Sequence, residues 1–488
     1  MEKAATAKGV DLEAWETALR AAVLSAGARV LGSLLKGVGC GRRTNKVTCE
    51  CGGKMESMGV RSKELLSMLG PVEYERTMFQ CSGCGETRYP GDEELDIVGT
   101  SRTPGVRRMA ARAGSKTTFK EGRDDLKIYA GITVSAKDVE RVSEGIGQEV
   151  ENWAAAERKE VIKLEALQEY VEKSISLMYI CYDGTGVPMV KEELENHKGK
   201  QADGSAKTRE AKLGCVFTQT TTDKEGRPVR DPESTSFVGA IEDARKFGWR
   251  IYAEALRRGY RKAQRVVVIG DGAKWIWLLA NLHFYNAIQI VDLYHARQHV
   301  ADLCKILFSG REKEIVRHRM RWWTLMDSGN IEKIIIEASK NLPADLESRK
   351  KATKELAYLG GNKERMRYAK FRAQGLFVGS GVVEAGCKTV IGSRCKQSGM
   401  EWSVRGANAI ISLRCLMTSG RIEEFWEARA AYLPHFSDSE PLRRRSLTQE
   451  LALPRSRIGV FRNGRPPLPL SCVNWRISVT GRTSTCLL

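Results

Sequence analysis

The spacing of apolar residues changes period several times along the chain, and each change predicts a different element. In MEKAATAKGVDLEAWETALRAAVLSAGARVLGSLL the apolar positions recur at helical spacing, so residues 1–38 are expected to form an amphipathic helix. The stretch VEYERTMF, from Val72 to Phe79, alternates apolar and polar as a strand with one buried face does. Helical punctuation follows. Gly131 stops a helix whose apolar face holds Leu126, Tyr129 and Ala130, and Ser135 with Asp138 forms a capping pair that opens the next helix. Two short, wholly apolar runs then appear, Leu177 to Tyr182 and Val266 to Ile269, of the kind that makes a strand buried on both faces. Between them KLGCVFTQTT and STSFVGAI read as two more strands and ARKFGWRIYAEALRRG as a helix. After them AKWIWLLANLHF reads as a helix and AIQIVDLYH as a strand. Residues 300–375 are rich in Lys, Arg, Glu and Leu with no strand-like run, which predicts a helical insertion. Beyond His435 the period disappears and prolines recur, so residues 436–488 read as a disordered tail.

Three strands, a helix, a strand, a helix and a strand make up the ribonuclease-H-like plan, a mixed five-stranded sheet with flanking helices whose first and fourth strands are neighbours. Both apolar runs end on Asp-Gly, at Asp183-Gly184 and Asp271-Gly272. A carboxylate at the edge of a core is costly unless it is solvated, paired or metal-bound. Because adjacent strands lie about 4.8 Å apart, the two acids are placed to share a cation. Gly184, Gly270 and Gly272 would leave room for a phosphate backbone to approach, since a side chain there would collide with it. One Asp-Gly alone is a common turn; two at the ends of neighbouring strands point to chemistry.

Charge and cysteine spacing extend this reading. Lys plus Arg number 79 against 60 Asp plus Glu, and a formal charge of +19 favours polyanionic partners. No stretch approaches the roughly 18 continuous apolar residues of a membrane span, and Asp11, Glu13 and Glu16 stand where a signal peptide would be basic. A cytoplasmic chain without a membrane partner is therefore expected. Among its thirteen cysteines, Cys49-x-Cys51 and Cys81-x-x-Cys84 bracket a strand-like hairpin, and four thiolates so arranged suit a structural Zn²⁺ in a zinc ribbon, with Cys40 as a substitute ligand. The helices that follow read as a helix-turn-helix. Lys137 and Arg141 near the start of its second helix would enter a DNA major groove, and Arg107, Arg108, Arg112 and Lys116 would meet phosphates.

YDGTGVPM, GKQADGSAKTREAKLGCVFTQT, VVVIGDGAKWIW, IVDLYHARQHV and GSGVVEAGCKTVIGSRCKQSGMEWS, together with the cysteine pairs, resemble the bacterial Asp-Asp-Glu (DDE) insertion-sequence transposases of the ISKra-four family. That resemblance implies catalytic aspartates at Asp183 and Asp271 and a catalytic glutamate at Glu384, on a helix after the insertion. Phosphoryl transfer by such a site uses two hard cations, Mg²⁺ or Mn²⁺, about 4 Å apart, and carboxylates are their natural ligands. The resemblance further gives the Asp292-x-x-His295 pair a supporting role. Lys388, Arg394 and Lys396 form a basic strip after Glu384, and Trp402 could stack on an unpaired base. The domain plan is an N-terminal helix (1–38), a zinc ribbon (39–95), a helix-turn-helix (96–150), a connecting helix (151–172), a catalytic core (173–299 and 376–435) split by the helical insertion (300–375), and the tail. The expected function is DNA transposition by a homodimer or higher oligomer on duplex DNA, binding element ends, hydrolysing a phosphodiester there and transferring the strand into target DNA. Its rivals are a catalytically inactive zinc-dependent DNA-binding regulator and a nuclease without strand transfer.

Overall fold

The computed structural model describes residues 5–6, 9–39, 47–165, 172–195, 197, 199, 204, 206–397 and 399–431. Cys40 and the tail at 436–488 lie outside the described residues.

Helix α1 (Leu12–Gly39) packs along an antiparallel sheet of order β1-β2-β3-β4, made by β1 (Val47–Thr48), β2 (Lys54–Ser67), β3 (Gly70–Cys81) and β4 (Thr87–Arg88). The alternation read in VEYERTMF is met in β3 in two parts, Val72 and Tyr74 being buried and, after a shift of one residue, Thr77 and Phe79. Helix α1 departs from the amphipathic expectation. Ala28 faces the protein, yet Leu12, Trp15, Leu19, Val23, Val30 and Leu34 all point outward, and Leu12–Val38 is long and apolar enough to cross a membrane.

Three helices follow, α2 (Pro104–Lys116), α3 (Phe119–Ala130) and α4 (Ala136–Glu165), around Val106, Ala110, Leu126, Ile132 and Val139. Gly131 ends α3 in the left-handed conformation at φ 71°, which a Cβ would strain. Ser135 and Asp138 cap α4 reciprocally, each side chain accepting the other's main-chain N–H. The boundary drawn at residue 150 falls inside α4, which runs on for 30 residues without interruption.

The second sheet combines β5 (Ile175–Pro188), β6 (Thr208–Gln219), β7 (Ser236–Ala240), β8 (Ala263–Gly270) and β9 (Ile288–Val291) in the order β7-β6-β5-β8-β9. Strands β5, β6 and β7 are antiparallel, whereas β8 runs parallel to both β5 and β9. Both apolar runs are buried as read: Met178, Tyr179, Ile180, Val267, Val268 and Ile269 are fully enclosed. Burial of each such side chain stabilises by about 1.5–3 kcal/mol relative to exposure. Helices α5 (Ala244–Arg257) and α6 (Lys274–His283) join the strands. The segment expected to be helical, 300–375, holds most of α7 (Leu293–Leu307) and all of α8 (Glu312–Asp327), α9 (Ile331–Ser339), α10 (Leu346–Asn362) and α11 (Tyr368–Ala373); α7 starts earlier than expected, because AIQIVDLYH is a strand only to Val291 and Asp292 caps a helix there. Helix α12 (Gly381–Gly386) continues through a π-helical turn at Cys387–Gly392, and α13 (Val404–Thr418) and α14 (Ile422–Ala431) close the described chain.

Candidate active site

Three aspartates stand side by side in the sheet: Asp271 and Asp292 just past the ends of β8 and β9, and Asp183 inside β5, which does not stop at Asp183-Gly184 as expected but runs on to Pro188, paired with β6. Cys181 pairs with Ile269 across β5 and β8, so two residues further on Asp183 lies level with Asp271. Gly270 pairs with Val291 across β8 and β9, and the Asp292 N–H donates to the Gly270 carbonyl at 2.8 Å, which sets Asp292 level with Asp271. Side chains at one level of parallel neighbours share a face.

Each carboxylate is held differently. Asp183 Oδ1 accepts the Gly184 N–H at 2.7 Å. Burial pushes the Asp183 carboxyl up; the Cys387 thiol, the Gly184 N–H and the charge of His295 oppose this, and the nearby Asp271 charge adds to it. Asp271 Oδ1 accepts from Ala273 N at 2.8 Å, closing the turn after β8. Asp292 is wholly buried. Its Oδ1 caps α7 by accepting from His295 N at 2.7 Å and lies 3.1 Å from His295 Nδ1, while its Oδ2 accepts from Ser380 N at 2.5 Å. Burial alone would raise the Asp292 carboxyl, and these bonds from His295 and Ser380 outweigh it and hold the group below its ordinary value. The bond to Asp292 lifts His295 to about 9 against the opposing effect of burial, and the charges of Asp292, Asp271 and Glu384 add to the rise. With no metal ion present, the surrounding carboxylates thus favour the protonated form of His295.

Glu384 enters from α12, and its Oε1 accepts from Ser380 Oγ at 2.8 Å. Ser380 thus bridges Asp292 and Glu384, through its N–H and its hydroxyl. Donor atoms of Asp292, His295 and Glu384 lie within 4.8 Å of one another, close enough to hold a metal ion, for which His295 would have to give up its proton. The close trio therefore contains the pair expected only to support the site. Asp183 and Asp271 adjoin it along the strand ends. Four oxygen-donor acids at one sheet end suit a hard divalent cation.

Several expectations change at this point. Gly184, Gly270 and Gly272 do not leave open space. A Cβ at these positions would lie 2.5 Å from Glu210 Oε1, 2.7 Å from Ile276 Cδ1 and 2.5 Å from Tyr358 Cε2, so the room is filled by the protein's own side chains. Arg394 and Trp402 are withdrawn from any DNA surface. Arg394 is 0% exposed, lies over the rings of Phe119 and Trp402, and donates from Nε to the Gly114 carbonyl at 2.7 Å; Trp402 is itself buried. Arg107 is tied to Asp96. Arg108 pairs with Glu423, and Lys137 with Glu140 at 2.6 Å. Arg112, Lys116, Arg141, Lys388 and Lys396 are exposed, and Lys396 Nζ reaches Thr185 Oγ1, two residues from Asp183.

The four expected cysteines converge at the base of the β2–β3 hairpin. Cys49 Sγ is 3.5 Å from Cys84 Sγ, and Cys51 Sγ is 3.6 Å from Cys81 Sγ. Tetrahedral zinc with Zn–S near 2.3 Å separates its sulfurs by about 3.8 Å, so the cluster could hold such a metal. Main-chain N–H groups of Cys84 and Gly83 draw the Cys81 thiol down to about 7, towards the thiolate a metal needs.

Ser380, Cys387 and Tyr358 were not legible as site residues. Ser380 four residues before Glu384, in a Gly-Ser-Gly stretch opening a helix, is a local cue. For Tyr358, far from Asp271 in the chain, no local cue exists.

The profile of an uncharacterised protein family, UPF0236, matches residues 52–428. A UPF0236 protein of Caldanaerobacter subterraneus subsp. tengcongensis is 23% identical over 385 residues, covering 73% of this chain and 68% of that protein. Among solved structures, a Drosophila P element transposase strand transfer complex aligns with a TM-score of 0.23 and 13% identity, over 70% of this chain and 85% of that one. A TM-score so low carries no argument, whereas the profile spans most of the chain from the cysteine hairpin to α14, and it places the chain in the UPF0236 family.

Proposed function

We propose that this UPF0236 chain is a DDE transposase related to the ISKra-four group, cytoplasmic and acting on duplex DNA as a dimer or higher oligomer. The observation that carries the reading is the level row Asp183, Asp271 and Asp292 on neighbouring strands, with Glu384 joined to Asp292 through Ser380. The strand order β7-β6-β5-β8-β9 supports a ribonuclease-H-like core interrupted by the helices α7 to α11. The cysteine cluster supports a structural zinc ribbon, and α2 to α4 supply the helical DNA-binding unit.

Asp183, Asp271 and Glu384 would hold the Mg²⁺ or Mn²⁺ ions. Such ions, when bound, activate an attacking oxygen and stabilise a leaving one at a phosphodiester. The chain's own residues supply the rest. Asp292 fixes the first turn of α7 and, through Ser380, the start of α12, so that Glu384 is presented to the strand ends. Before the ions bind, protonated His295 would offset part of the mutual repulsion of the carboxylates. Lys388 and Lys396, on the exposed side of the helix carrying Glu384, are placed to meet the phosphates that flank a scissile bond. Water at an element end, and then the freed 3′ hydroxyl, serves as nucleophile, so no serine or cysteine is required.

The test is cleavage and joining of labelled DNA from the element's flanks in Mg²⁺. Asp183→Asn, Asp271→Asn and Glu384→Gln should each lower both by about a hundredfold or more, with gel-shift binding retained. Cleavage by Asp271→Asn at the wild-type rate would refute the assignment. Products cut but never joined would favour the nuclease reading, and binding without cutting the inactive regulator.

A further inference from the structure

The helical insertion reaches the Asp271 turn through one side chain. Tyr358, on α10 and 87 positions away in sequence, donates from its hydroxyl to the main-chain carbonyl of Asp271 at 2.7 Å. Its ring occupies the space beside Gly272, where a Cβ would lie 2.5 Å from Cε2, and Gly272 has φ +96°, a conformation that side chains rarely adopt. The same ring stacks on His299 of α7, with centroids 3.7 Å apart and planes 24° from parallel. His299 Nδ1 in turn lies 2.5 Å from Glu355 Oε2, one helical turn before Tyr358 on α10. The acceptor is a main-chain carbonyl, which carries no hydrogen, so the phenol is the donor in its bond to Asp271.

We propose that Tyr358 is a positioning residue for the Asp271 carboxylate: it clamps the Asp271–Gly272 turn from the insertion and keeps it level with Asp183. The physical need is clear from the turn itself. Glycine at 272 leaves the backbone free to rotate, and repulsion from Asp183 favours swinging Asp271 away when the ions are absent. A hydrogen bond to the carbonyl, backed by a ring held by His299 and Glu355, removes that freedom before the cation arrives. The insertion is then part of the site, its helix α10 acting as a splint on the strand end.

This rests on the reading of Asp183 and Asp271 as divalent-cation ligands, and the experiment separates the two. Full-length, zinc-loaded protein is titrated with Mn²⁺, free ion being followed by its paramagnetic resonance, for the wild type, Tyr358→Phe, His299→Ala and Asp271→Asn; thermal melts are recorded without Mn²⁺. Tyr358→Phe should raise the Mn²⁺ midpoint about fivefold, as loss of one neutral hydrogen bond allows, while melting within a few degrees of wild type. His299→Ala should shift the midpoint in the same direction by less, and Asp271→Asn should abolish saturable uptake. An unchanged midpoint in Tyr358→Phe, with wild-type uptake that depends on Asp271, overturns the inference alone. Wild-type protein without Asp271-dependent uptake overturns the cation reading and the inference with it.

Discussion

His283 shows at the scale of one residue how this core treats charge away from the candidate site. It lies near the end of α6, 6% exposed, between Trp249 at 4.8 Å and Tyr252 at 5.0 Å between ring centroids. Burial lowers it to about 4, so it is neutral in the fold and protonates there only well below an ordinary histidine. The unfolded chain takes up that proton near pH 6.5. Stability from this group is therefore complete above pH 6.5 and is lost as pH falls towards 4, because the unfolded state binds the proton first. The loss should be on the order of 2–3 kcal/mol. Denaturant melts at pH 7 and pH 4.5 should show His283→Phe losing less stability on acidification than wild type; an equal loss would show that other groups carry the acid sensitivity. His295 moves the opposite way, up to about 9, because it gains a carboxylate partner where His283 has only aromatic rings.

Among elements, the joint between the helical unit and the core decides what the basic residues after Glu384 do. Arg394, just past the π-helical turn, extends its guanidinium between Phe119 of α3 and Trp402, and its Nε bonds the last turn of α2 through the Gly114 carbonyl. Arg414 of α13 reaches the same region, donating to the Val390 carbonyl at 2.6 Å and to the carbonyl of Ser115. These arginines fasten α2 and α3 to the helical stretch that follows Glu384 and to α13. Removing a buried cation with its stacking and main-chain bonds should cost about 2–4 kcal/mol, so Arg394→Ala should unfold at markedly lower denaturant. Lys388→Ala, on an exposed position of the same helical stretch, should leave stability unchanged and weaken DNA binding. Equal stability in the two variants would contradict the structural role of Arg394.

For the whole molecule, the net +19 is not spread evenly over the groups expected at DNA. Arg107 is neutralised by Asp96, Arg108 by Glu423 and Lys137 by Glu140, which leaves Arg112, Lys116, Arg141, Lys388 and Lys396 as the exposed cations of the expected set without an acidic partner of their own in the ion pairs described. If those five meet phosphates, the logarithm of the duplex affinity should fall with the logarithm of salt at a slope of about −4 to −5. Arg112→Ala and Lys116→Ala should each reduce that slope by about 1, and Arg107→Ala should leave it nearly unchanged. A salt series of equilibrium binding measures all three. A flat response would remove phosphate tracking from the proposed function, and a large effect of Arg107→Ala alone would move the contact surface towards β4.

Local period and spacing by themselves determined a good part of this protein. Apolar runs specified β5 and β8, alternation specified β3, Gly131 with the Ser135–Asp138 pair specified the turn between α3 and α4, and the two cysteine pairs specified the thiol cluster. These signals are readable because they depend on residues within one or two turns of each other. The placement of Asp183 beside Asp271 followed from element order, in a plan whose first and fourth strands are neighbours, as β5 and β8 are. What the tertiary structure alone decided is which charges are spent inside the fold. Arg394 and Gly114 are 280 positions apart, and Tyr358 and Asp271 are 87 apart, so no local pattern announces that the arginine is a buried tie or that the tyrosine closes the turn. The same holds for Gly184 within β5 and Gly272 in the turn after β8, against which Glu210 and Tyr358 press from other elements. Burial is set by whatever packs from a distance, and a carboxylate, a lysine or a glycine looks the same in sequence whether its neighbour is solvent, a nucleic acid or another part of its own chain.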